Sequence, residues 1–104
     1  MEKVIRDGKV AVLYSPGYGV GWYSANKEHP ECLFDPNIVA MVEAGDLDQI
    51  EAYCETAHSD LYTAGAEQLE IAWLPVGTRF MIRDYDGDGH ETIVRHYDSV
   101  WIVA

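Results

Sequence analysis

His29, Cys32, Cys54 and His58 are the residues of this chain best suited by type to hold a metal. Two imidazoles and two thiolates suit tetrahedral zinc, and Cys54 and His58, four apart, would share one face of a helix. Cys54 fits equally well as a small buried residue of that helix. Whether the four converge stays open, so no metal ligand and no cofactor is assigned. Asp84, Asp86, Asp88 and Gly89 match the first half of a calcium loop. The twelfth position is Arg95, where a bidentate glutamate is needed, and residues 92–94 read as strand. A solvated hairpin connection is the better expectation there.

Tyr14, Tyr18, Gly19, Gly21, Trp22 and Tyr23 form an aromatic-glycine segment that could line a pocket for a small, nucleotide-like ligand. Glycines 17, 19 and 21 lack the dinucleotide-fingerprint spacing, and no glycine-lysine-serine or -threonine ending marks a phosphate loop. Sheet bending with aromatic packing, or a protein contact, explains the same residues. Catalytic patterns are weaker still. Ser15, Ser24, Ser59 and Ser99 all lack a nucleophile-elbow context. His58 and Asp60 point apart on a helix, and pairs such as His90 with Glu91 or His96 with Asp98 are commonplace. No catalytic residue is assigned, and an enzyme is not the expectation.

Charge gives the sharper signal. Residues 28–78 contain eleven carboxylates and no lysine or arginine, so this stretch accounts for the whole formal charge of −11. Such a one-sided field attracts basic proteins and repels nucleic acid and anionic membrane. The expected partner is therefore a basic protein, with Asp46, Asp48, Glu51 and Glu55 as its contacts; direct nucleic-acid binding and membrane binding are not expected.

These residues must be positioned by a small fold. With 104 residues and 48% apolar content, a single α+β domain spanning 1–104 is expected. Asp7-Gly8 suits a tight hairpin turn between strands near residues 4–5 and 10–14. Val10, Val12 and Tyr14 would share one face. Trp22-Tyr23 again reads as strand. Asp35 as cap, Pro36 at the first position and Gly45 as stop bracket one short helix, with Ile38, Val39 and Val42 inward. A second helix would start with a capping box of Asp46 and Gln49 and bury Leu47, Ile50, Tyr53, Cys54 and Ala57. Leu69, Ile71 and Trp73 alternate as a strand, and further strand patterns cover Phe80 and Ile82, residues 92–94 and 100–103. The predicted architecture is a curved antiparallel sheet, with a barrel-like C-terminal half as one option, and two short helices. Open strand edges leave a homo-oligomer in view.

The ordered segments KVAVLYSPGYGVGWYS, LFDPNIVAMVEAG and LEIAWLPVGTRFMIRDYDG resemble a family of small uncharacterised bacteriophage and prophage proteins. The resemblance covers nearly the whole chain and carries over no residue role. It implies an accessory protein acting in the host cytoplasm. By analogy, small acidic proteins in that setting sometimes obstruct host machinery by imitating the charge of DNA. A cytoplasmic location is also the default expectation for the start MEKVIRDGKV, which lacks a signal-like apolar region. Cys32 and Cys54 are then expected to be free thiols.

Overall fold

The computed structural model of the chain describes residues 2–17, 21–85, 90–95 and 102–104. It is an α+β fold with two three-stranded antiparallel sheets and two short helices. Strands β1 (Ile5–Arg6) and β2 (Lys9–Tyr14) are joined by Asp7-Gly8, both with positive φ (52° and 75°), the twist that a two-residue hairpin turn requires. Strand β3 (Glu70–Pro75) pairs with the other edge of β2, with Val10 opposite Leu74 and Leu13 opposite Ile71. The second sheet has the order β5-β4-β6: β4 (Arg79–Tyr85) lies between β5 (His90–Arg95) and β6 (Ile102–Val103). This C-terminal sheet is open rather than closed into a barrel.

Helix α1 (Pro36–Ala44) follows its punctuation. The Asp35 carboxylate accepts the N–H groups of Asn37 and Ile38, and Gly45, at φ 79°, closes the far end. Ile38 and Val39 face the core. Helix α2 (Ile50–Ala57) starts differently from expectation. The chain enters it through a tight 3-10 turn, Leu47–Gln49, in which the Gln49 N–H bonds to the backbone carbonyl of Asp46. The Asp46 side chain makes no capping bond and is left in solvent. Ile50 and Cys54 are buried, whereas Ala57, the last residue of the helix, is exposed.

Val10, Ala11, Val12 and Leu13 are all fully buried, so β2 is covered on both faces rather than showing one apolar face. As the central strand of its sheet it contacts β5 and the Pro30–Leu33 turn as well. One hydrophobic cluster links both sheets and both helices, with Phe34 meeting Phe80 edge to face at 6.3 Å. Among the described residues, no helix is long and apolar enough to cross a membrane.

Trp22 and Tyr23 are not in a strand. Residues 22–25 form a turn, and the reason is long-range. The Glu91 side chain, completely out of solvent, accepts the Ser15 N–H on one oxygen and the Ser24 N–H and Oγ–H on the other. The Ser15 carbonyl in turn accepts the Glu91 N–H at 2.8 Å. A carboxylate thus takes backbone donors that strand pairing would otherwise have to satisfy.

Candidate functional site

Between the Leu47–Gln49 turn, α2 and the segment 61–67 lies a groove of about 500 Å³. Half-buried Leu47 and Leu61, buried Ala66 and exposed Tyr62 give it an apolar lining. Its charged lining residues, Asp48, Glu51 and Glu67, are all acidic and all exposed. Two of the four contacts expected from sequence, Asp48 and Glu51, come together here. Asp46 and Glu55 are exposed but lie outside the lining. Leu61, Tyr62 and Glu67 are additions that no local pattern announces.

Tyr62 is anchored from below. Buried Asn26 accepts the Tyr62 N–H at 2.8 Å and donates to the Tyr62 carbonyl at 2.9 Å, while also donating to the Trp22 carbonyl at 2.7 Å. A half-turn of loop is therefore fixed by one amide with its oxygen and nitrogen both engaged. The tyrosine ring it presents is 56% exposed.

None of Asp46, Asp48, Glu51, Glu55 and Glu67 makes an ion pair among the described residues. Glu43 does: Arg6 reaches it with two guanidinium nitrogens while lying over the Trp73 ring at 5.3 Å. That pairing holds the Glu43 carboxyl below its usual value and raises Arg6. The acidic surface of α2 is not neutralised by any ion pair among the described residues.

The sequence leaves open whether His29, Cys32, Cys54 and His58 converge; among the described residues no group of three or more His, Cys, Asp or Glu is arranged to hold an ion. His29 leans on Glu31 at 3.3 Å. Cys32 and Cys54 are buried free thiols; burial, with Asp35 nearby, pushes Cys54 up to about 11. His58 instead donates to Asp35, which also accepts from Tyr53 at 2.9 Å. Burial alone would raise the Asp35 carboxyl, but the bonds from His58, Tyr53 and the backbone of Ile38 and Asn37 outweigh it and hold it below the ordinary value. Asp35 therefore ties the start of α1 to the end of α2. The calcium-like loop falls largely on residues 86–89, outside the described residues.

The aromatic-glycine segment does not come together as one surface among its described members. Trp22 is fully buried and donates its indole N–H to the Cys32 carbonyl. Gly21 lies against the Glu91 carboxylate, and half-buried Tyr23 turns toward the Lys27 carbonyl. Tyr14 lines a groove of about 340 Å³ between the sheets, with Pro16, Leu74 and Ile93. Tyr18 and Gly19 lie outside the described residues.

Comparison of the chain with protein-family models, with curated proteins and with solved structures gives no match.

Proposed function

We propose that this chain is an acidic intracellular interaction protein that binds, and modulates or inhibits, a basic host or phage protein. The observation that carries the reading is that Asp46, Asp48, Glu51 and Glu55 are all exposed and make no ion pair among the described residues. Unneutralised carboxylates on a folded surface steer a cationic partner and fix its orientation, and they leave no internal ion pair to be broken on binding. The phage or prophage setting suits such a protein, as the resemblance of its segments implies.

The small-ligand alternative is less well supported. Of its described residues, only Tyr14 lines the inter-sheet groove, and Trp22 has no free face on which a base could stack.

The test is a quantitative capture from the producing cells, comparing the native chain with the fourfold variant Asp46→Asn, Asp48→Asn, Glu51→Gln, Glu55→Gln. A basic protein held by the native chain at low salt, and lost both to the variant and to added salt, is the expected result. A partner held equally by both chains would remove these four residues from the interface.

A further inference from the structure

We infer that the groove beside α2 is a docking site for an extended basic segment of a partner protein in which arginine or lysine alternates with apolar residues. This rests on the interaction reading above and names the occupant of its surface. The groove is not merely an acidic patch, because Leu47 and Leu61 leave apolar surface half open between the carboxylates. A segment that carries both kinds of side chain satisfies both at once, laying its apolar groups on the leucines and its cationic heads among Asp48, Glu51 and Glu67.

The second ground is Tyr62. Large, exposed aromatics on loops ordinarily lose conformational freedom when a partner orders them. Here buried Asn26 already holds the Tyr62 backbone through its N–H and its carbonyl. The backbone part of the ordering cost is met in the free protein, which makes Tyr62 a suitable anchor at the groove rim. The charge of the site also excludes the competing occupants. An acidic peptide or a second copy of this −11 chain would bring like charge against three carboxylates that make no ion pair among the described residues.

The experiment is an amide chemical-shift titration of the full chain with three blocked heptapeptides: arginine alternating with leucine, arginine with serine, and serine with leucine. The arginine–leucine peptide should bind at least about tenfold more tightly than either control, with shifts centred on residues 47–51 and 61–67. Tyr62→Ala should weaken it by roughly tenfold while leaving the unfolding midpoint unchanged, since the ring is exposed and Asn26 bonds only the backbone. Glu67→Gln should weaken it more than Glu55→Gln, which lies outside the groove. Equal binding of the two arginine peptides, with shifts spread over residues 46 and 55, overturns the groove and leaves the acidic interaction surface standing. Equal binding of the serine–leucine peptide overturns the role of charge at the groove, and binding of none overturns the groove itself, while the interaction reading stands or falls on the capture experiment.

Discussion

Glu91 lies wholly out of solvent with each carboxyl oxygen occupied by Ser15 or Ser24, whereas Glu51 on α2 stands in water with no cation beside it among the described residues. One carboxylate is consumed by the fold; the other is left in solvent. The two regions differ in what surrounds them, not in residue type. At Glu91 the backbone donors of residues 15 and 24 would be stranded without it. At Glu51 removal of the charge strands nothing. The same contrast separates Asp35, tied to four donors, from Asp48, tied to none that the structure shows. A formal charge of −11 therefore overstates the uniformity of this protein's acids.

The comparison breaks most visibly at Glu91. Glu91→Ala should cost about 3 kcal/mol or more, measured by chemical denaturation, because three donors lose their acceptor and a cavity remains. Glu91→Gln offers no escape. Either amide orientation points an N–H₂ at a backbone N–H. A native-like midpoint for both variants would move Glu91 out of the structural class.

Gly21→Ala probes the same cluster from the other side. An added Cβ would lie 2.7 Å from the Glu91 Oε2 and 2.9 Å from the Ser24 Oγ, and that carboxylate is held by three donors and cannot swing away. The expected loss is about 1–3 kcal/mol, with amide exchange at Ser24 accelerated more than on α2.

At Asp35 the effect should be smaller and dependent on pH. Its folded-state pKa is depressed, so its contribution is fully present above the unfolded value and fades as pH falls through the folded one, below about 3.8. Asp35→Asn should lower stability by roughly 1 kcal/mol at neutral pH and flatten the acid limb of the stability curve. An unchanged limb would mean that another carboxylate governs acid unfolding.

The smallest change is expected from the fourfold neutralisation of Asp46, Asp48, Glu51 and Glu55. Its stability should stay within about 0.5 kcal/mol of the native chain, and any shift should be upward, since Glu51 and Glu55 repel each other across one helical turn. Loss of folding would show that these acids are structural after all.

How much of this was legible beforehand follows the range of each interaction. Asp35, Pro36 and Gly45 bracket α1 because a cap, a fixed φ and a left-handed stop act within a few residues. Asp7-Gly8 fixes the first hairpin for the same reason. The strand expected at Trp22-Tyr23 failed because local alternation cannot foresee an acceptor that lies 67 residues beyond Ser24. The capping box at Asp46 failed for a local reason: a 3-10 turn satisfied the same N–H group with a backbone carbonyl. In the candidate site, Asp48 and Glu51 were visible as uncompensated charge. Leu61, Tyr62 and Glu67 were not, since their place opposite α2 depends on a buried amide at Asn26, 36 residues before Tyr62.

The sequence by itself determined the short-range elements and the sign of the surface, because dihedral preference and missing countercharge are properties of neighbouring residues. Only the tertiary structure decided which acids are spent. Whether a carboxylate stabilises the fold or faces outward depends on which distant N–H groups the packed chain brings to it, and that choice is made when the two sheets close on one core.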